Sequence, residues 1–295
     1  MSKKHPVIAV TGSSGAGTTT VKRAFEHIFL REKINAAVIE GDSFHSLSRV
    51  DFKEAVKKAE AEGNKHFSHF GPHSNHFDKL AELFETYGKT GSGKKRYYIH
   101  SDEEAAQHNK RLNTSLNPGE FTPWEDVPAG SDVLFYEGLH GLVKTDDIDV
   151  SKHVDLGIGV VPIVNLEWIQ KIHRDGAERG YSADVIVDTI LRRMPDYVNY
   201  ITPQFSRTDI NFQRVSTVDT SNPFISRDIP TPDESFIVIR FREPKGVDFP
   251  YLLNMIPNSF MSRRNTIVVP GAKMGFAMEL ILAPIIQDMI AGKGK

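Results

Sequence analysis

The chain has 295 residues, 39% of them hydrophobic and 25% charged, with a formal net charge of -2 and no cysteine. This is the composition of a packed globular protein rather than a disordered or fibrous one, and the near-zero charge excludes a global basic field of the kind that holds nucleic acid. The absence of cysteine excludes disulfides, thiolate metal sites and thiol redox control, and fits a reducing cytosol.

Met1 to Pro6 carries basic residues, but the apolar run that follows, Val7 to Val10, is too short for a signal-peptide core. No apolar run is expected to span a membrane, and a cytoplasmic location follows as the expectation. Val7 to Thr11 is apolar, β-branched and followed by glycines, which predicts a buried strand ending in a loop. A helix is predicted from near Thr18, with Val21, Ala24, Phe25, Ile28 and Phe29 as its apolar stripe, and a second strand at Ala36 to Glu40. That alternation predicts an α/β fold with a mostly parallel mixed sheet flanked by helices.

Phe52 to Glu62 and Asn75 to Tyr87 read as helices with a histidine-rich loop between them, the second helix turning Phe77, Leu80, Leu83 and Phe84 inward. Gly88 to Lys95 and Asn113 to Gly130 read as mobile loops. Val133 to Tyr136 and Leu156 to Val161 return as buried strands, and Leu166 to Arg179 and Ala183 to Met194 as helices, with Pro195 ending the second. Past Tyr197, short β-like runs at Phe236 to Phe241 and Thr266 to Val269 precede a last helix from about Lys273 to Ile290. One domain over residues 1–295 is expected, with a nucleotide- and substrate-binding core at 1–195 and a sheet extension plus C-terminal helix at 196–295.

Gly12, Ser13, Ser14, Gly15, Ala16, Gly17, Thr18 and Thr19 follow the phosphate-loop pattern in their anchoring glycines and final hydroxyl, between a strand and a helix. Glycines let backbone amides approach phosphates, the helix start adds unpaired N–H groups, and Thr19 would offer its hydroxyl to Mg²⁺. Thr18 stands where the pattern has lysine, so the charge for the β- and γ-phosphates must come from elsewhere. A nucleoside triphosphate, ATP with Mg²⁺, is the expected donor. Glu137 ends an apolar strand, the arrangement that delivers a carboxylate beside the metal; the bland alternative is a solvated acid at a strand end.

Asp42, His45 and Arg49 follow the second strand at spacings of three and four and would share a face, continued by Lys53, if the segment is helical. Asp42 would serve as base, with His45, Arg49 and Lys53 holding a phosphorylated sugar; the alternative is an exposed helix start with Asp42 as its cap. Lys171, Arg174, Asp175 and Arg179 lie on one helical stripe. They read either as a ladder of surface salt bridges or as the source of the missing charge, with Asp175 as a second metal ligand or an alternative base. His66, His69, His73 and His76 lack cysteine or ordered acidic partners, so a polar loop near the substrate mouth is preferred over a zinc site. His100 is a further candidate for substrate contact.

These residues resemble the bacterial, class I phosphoribulokinase family, a branch of the P-loop kinases that includes the uridine kinases. The resemblance rests on Gly12 to Thr20, on Glu40-Gly-Asp-Ser-Phe-His45 with Arg49, and on Phe135-Tyr-Glu-Gly-Leu-His-Gly141. It continues through Glu167-Trp-Ile-Gln-Lys-Ile-His-Arg-Asp175 and Asp209-Ile-Asn-Phe-Gln-Arg214. It implies ATP-dependent phosphorylation of ribulose 5-phosphate in the Calvin cycle, with Gly12 to Thr20 on the nucleotide. It further implies Asp42 as the base, Glu137 and Asp175 as metal-side acids, and His45, Arg49, Lys53 and Arg179 on the sugar phosphate. Lys171 and Arg174 become the cations of the transition state and nucleotide. The threonine in place of the loop lysine is shared by this class. The class is typically a homo-octamer responding to NADH and AMP, for which Arg31, Arg192, Arg193, Arg240 and Arg263 are candidate contacts, ordinary surface arginines being the alternative. The stretch Gln107 to Asn117 is longer than the family leads one to expect. A uridine-kinase-like or pantothenate-kinase-like enzyme, or a nucleotide-dependent switch, stands as the competing reading.

Overall fold

Strands that are apolar on both faces need cover on both sides, and the central sheet of this protein is built that way. The computed structural model describes residues 4–12, 18–161, 163–226 and 228–292, leaving aside the side chains of residues 18, 19, 178 and 179. In chain order the elements are β1 (Val7–Gly12), α1 (Thr18–Arg31), β2 (Ala36–Glu40), α2 (Arg49–Ala61), α3 (Phe77–Thr90), β3 (Lys94–Lys95), α4 (Asp102–Leu112) and β4 (Glu125–Asp126). Then come β5 (Val133–Gly138), β6 (Leu156–Val161), α5 (Val164–Arg179), α6 (Ala183–Arg192), the short α7 (Met194–Asp196), β7 (Ile210–Ser216) and β8 (Ser235–Phe241). The chain closes with α8 (Phe249–Met255), β9 (Phe260–Arg263), β10 (Thr266–Pro270) and α9 (Met274–Ala291).

The eight-stranded sheet has the order β2-β5-β1-β6-β7-β8-β10-β9. From β2 to β7 all neighbours are parallel, and β8, β10 and β9 add on antiparallel. The expected C-terminal extension thus continues the same sheet. Residues alternate across it: Ile8 and Val10 pack with Phe25 and Ile28 of α1 and Ile281 and Ile286 of α9, while Val7 and Ala9 pack with Leu80 and Phe84 of α3. Phe25 lies 4.5 Å from Phe135 between ring centroids, and each such buried ring stabilises the fold by roughly 1.5–3 kcal/mol.

Several local expectations are corrected. Pro195 does not stop the chain but occupies the first turn of α7, where its missing N–H has no helical partner to lose. The chain then continues through a π-turn at Tyr197–Ile201. Gly88 lies inside α3, and the turn comes at Gly91, whose φ of 72° suits a residue without Cβ. The segment 113–130, expected to be mobile, is tied to the loop before α4 by Gly119 N to Ile99 O at 2.7 Å, Thr122 N to Tyr97 O at 2.9 Å and the β3–β4 pair. The span Gly271–Ala291 is long and apolar enough to cross a membrane, with a mean hydropathy of 1.5, where no such run was expected. Its apolarity has a core function, since Met278, Ile281, Leu282 and Ile286 are buried against the sheet and α1.

Candidate active site

Parallel strands bring β1, β2, β5 and β6 to one carboxyl edge, the place where open α/β sheets bind ligands. Two glycines let that edge close. A Cβ on Gly41 would stand 2.7 Å from Gly138 Cα and 2.6 Å from the Tyr136 hydroxyl, so the ends of β2 and β5 touch backbone to backbone. Gly12, in register with Val160, approaches β6 as tightly, because a Cβ there would stand 2.8 Å from Val160 O. The result is a cavity of about 270 Å³ lined by Gly12, Glu40, Asp42, His100, Glu104 and Glu137, with Gly41, Gly138 and Leu139 between them.

Asp42 belongs to a short 3-10 turn, Gly41–Phe44, whereas Arg49 and Lys53 lie on α2, which Ser48 caps. The expected common helical face for Asp42, His45 and Arg49 is therefore absent, and so is an Asp42 cap. Contact is made differently: His45 Nε2 lies 3.3 Å from Asp42 Oδ1, and His100 Nε2 lies 4.0 Å from Asp42 Oδ2. Asp42 sits deep but keeps 45% of its side chain open to the cavity. Burial works against its ionisation, yet the hydrogen bond and charge of His45, aided by His100, outweigh burial and hold the carboxyl at about 2. Burial likewise depresses His45, but Asp42 and Asn75 reverse the direction and raise it. Arg49 and Lys53 are exposed, one helical turn apart.

Arg96 holds this turn in place. Its Nε donates to Ser43 O at 2.8 Å and its Nη2 to His45 O at 2.5 Å. The guanidinium packs over Phe121 at 3.8 Å and Trp124 at 4.6 Å.

On α5, Lys171 and Asp175 are buried, with 6% and 2% of their surface exposed, so the surface-ladder reading is corrected. Lys171 Nζ binds Asp175 Oδ2, and Arg174 donates to Oδ1 from Nε at 3.0 Å and Nη2 at 2.9 Å. Burial, then the nearby Arg193 charge, brings Lys171 down to about 8 against the pull of Asp175. Arg193, expected only as an effector contact, packs over Phe70 at 4.7 Å and feels Glu167 and Asp175. Burial, then the charge of His45, pushes His69 down to about 3, with Arg193 and Lys171 adding to it, so this ring feels both cationic groups. Ser13 to Gly17 and the side chains of Thr18, Thr19 and Arg179 fall outside the described residues. Thr20 begins the exposed surface of α1.

Glu137 stands at the end of β5 as expected. Burial, then the charge of Asp42, pushes it up to about 7, with Lys22 only partly offsetting and Glu40 adding repulsion. A carboxylate so short of positive charge suits a divalent cation completed by waters and substrate phosphates. Among the described residues no group of three His, Asp or Glu side chains converges to hold a metal alone; this includes the His66 to His76 loop.

The sequence pattern of the phosphoribulokinase / uridine kinase family matches residues 7–221. The chain is 60% identical over 293 residues to the phosphoribulokinase of Nitrobacter vulgaris and 61% identical over 293 to that of Xanthobacter flavus, covering 99% of both partners in each comparison. It superposes on the solved phosphoribulokinase of Rhodobacter spheroides with a TM-score of 0.90 at 52% identity, over 100% of both chains. The chain belongs to the phosphoribulokinase / uridine kinase family.

Of the other arginines singled out, Arg31 is bound to Glu32 at 2.8 Å and Glu279 at 3.2 Å, and Arg192 to Glu60 at 2.6 Å and Asp188 at 2.9 Å. Arg240 and Arg263 are exposed and both register with Thr266, one on each side of β10. The sequence reading passed over Glu40, Glu104, Asn75 and Arg96 as site residues. Glu40 and Glu104 line the cavity, and Ser101 to Glu104 carried a usable signal, the Ser-x-x-Glu of a capping box.

Proposed function

We propose that the chain transfers the γ-phosphoryl group of ATP to the C1 hydroxyl of D-ribulose 5-phosphate, giving ribulose 1,5-bisphosphate and ADP. The observation that carries this reading is that one cavity is lined both by Gly12 and Glu137, at the phosphate-loop end, and by Asp42 and His100. Donor and acceptor groups meet there. Asp42 accepts the proton of the attacking hydroxyl; held near 2 it is a weak base, so it contributes mainly by orienting that hydroxyl for a loose, in-line transfer. His45, His100, Arg49, Lys53 and Arg179 receive the 5-phosphate and sugar hydroxyls. Lys171 and Arg174 supply the positive charge that Thr18 does not.

Glu137 and Thr19, with Asp175 on release from its cations, would hold Mg²⁺. When bound, that ion draws charge from the bridging phosphate oxygens. Arg240 and Arg263, on one face of the sheet extension, support an anionic effector such as NADH or AMP, and a homo-octamer in the cytoplasm is the state in which we expect the enzyme to work. The experiment is ADP release measured with ATP and Mg²⁺ alone, then with ribulose 5-phosphate, uridine or pantothenate. Release dependent on ribulose 5-phosphate is expected. Equal slow hydrolysis in every case would point to a nucleotide switch, and a preference for another acceptor to a different member of the family.

A further inference from the structure

His45 is 8% exposed, and both of its ring nitrogens have partners. Nδ1 lies 2.8 Å from Asn75 Oδ1, and Nε2 faces Asp42 Oδ1 at 3.3 Å. Asn75 is itself 8% exposed, and its orientation is decided by its other end. Nδ2 donates to His69 O at 2.8 Å and to Gly71 O at 2.7 Å. Those carbonyls can only accept, so the amide nitrogen must face them and the amide oxygen must face His45. An oxygen that only accepts requires a proton on Nδ1. The neutral ring would then turn the lone pair of Nε2 towards a carboxylate, which is repulsive, whereas the doubly protonated ring donates at both ends.

We propose that Asn75 is a positioning residue: by holding the proton on His45 Nδ1 it makes the ring face Asp42 as an imidazolium, the cation that receives the anionic acceptor. A neutral ring with its proton on Nε2 would also donate to Asp42 without carrying charge, and Asn75 removes that option. The surroundings leave His45 as the charge-bearing ring. His69, 5.1 Å away between ring centroids, and His140 are both held neutral down to about 3 by burial and then by the charge of His45. Tyr98 presents its ring edge-on at 6.5 Å. Arg96 reaches the backbone oxygen of His45 and opposes the charge, and His100 stands beyond Asp42.

The kinetic part of the test rests on the sugar-phosphate kinase reading; the spectroscopic part does not. In protein labelled with ¹⁵N-histidine, His45 is expected to keep Nδ1 protonated throughout and to titrate at Nε2 above the ordinary histidine range. A neutral ring at pH 7 with its proton on Nε2 would overturn the proposal whatever the enzyme phosphorylates. In kinetics, kcat/KM for ribulose 5-phosphate should fall at high pH as His45 loses its proton. Asn75→Ala should move that limb down by about one pH unit, a tenfold loss on the limb, and recover near-wild-type values below it. Asn75→Asp keeps an acceptor at Nδ1 while losing both donated hydrogen bonds, so its limb should not move down even though stability falls. If Ala and Asp lower kcat/KM by one factor at every pH, Asn75 only supports the loop and the proposal fails. If Asn75→Ala does not fold, the wild-type spectra still decide. Absence of acceptor-dependent turnover in the wild type would count against the kinase reading alone.

Discussion

Asp42 and His45 meet at 3.3 Å although they leave the sheet on different local structures, a 3-10 turn and the isolated β-bridge to Asn75 that follows it. Of the pair, Asp42 lines the cavity that Gly12 reaches from the nucleotide side, and the buried His45 backs it. Asp42→Asn removes the proton acceptor and leaves the phosphate loop alone. It should lower kcat by roughly 10²–10⁴-fold while binding of a non-hydrolysable ATP analogue is unchanged by calorimetry. Turnover within tenfold of wild type would remove Asp42 from the role of base.

Gly41 tests the backbone contact beneath that pair. In Gly41→Ala the new Cβ meets Gly138 Cα at 2.7 Å, and overpacking of this kind costs about 1–3 kcal/mol. Thermal unfolding should report the loss, with a raised KM for the sugar phosphate because Asp42 is the next residue. Adding Tyr136→Phe relieves the hydroxyl but not the backbone, and should restore little.

Asp175 is expected to act first as the anchor of two cations. Asp175→Asn leaves a buried Lys171 without its counter-charge, and breaking a buried pair in this way costs about 3–5 kcal/mol. Lys171→Met removes the cation instead, and should lower kcat by 10²–10³-fold, a rough figure for one preorganised transition-state contact. Stability measured by urea unfolding and kcat measured on the same two variants separate anchoring from charge supply.

His140 is expected to make the fold less stable in acid. Burial, then the charge of His45, holds His140 at about 3, with its Nε2 donating to Phe70 O at 3.0 Å. The unfolded chain takes up this proton near 6.5 and the folded one does not, so the contribution is complete above 6.5 and is lost as pH falls towards 3. Each such group steepens the decline by about 1.4 kcal/mol per pH unit. Unfolding free energies measured between pH 4 and 7 should show a shallower slope in His140→Phe, even though the unpaired Phe70 carbonyl lowers stability at every pH. An unchanged slope would show that His140 does not titrate in this range.

What could be read from the sequence was whatever has a local period or a fixed spacing. The apolar stripe Val21, Phe25, Ile28 and the strand Val133 to Tyr136 are such signals, and both elements formed where predicted. Helix α4 was missed because its eleven polar-rich residues bury only Ala105, leaving its caps and its charge order as the signals. Strand β7 was missed although Ile210, Phe212 and their neighbours lie mid-sheet. The site was legible in its acids and cations but not in its supports. Asn75 and Arg96 act on groups distant in sequence, the His45 ring and the Trp124 ring for example, and no spacing rule points to them. Arg193 drew an effector reading for the same reason, since its place above Phe70 depends on how α7 turns.

The loop after α4 shows how inexpensively a surface insertion can be held. Asn109 clasps its start, its Oδ1 accepting from Thr114 Oγ1 at 2.9 Å and Leu116 N at 2.7 Å while Nδ2 donates to Leu116 O at 2.8 Å. Closure entropy rises by only about 0.6 kcal/mol for each doubling of loop length, so one clasp residue offsets a considerable insertion. Meanwhile neither apolar layer of the sheet, that of α1 and α9 or that of α3, includes a residue of this clasped stretch. Residues of this stretch can therefore be gained, lost or exchanged at little thermodynamic risk to the sheet that positions Asp42 and Glu137.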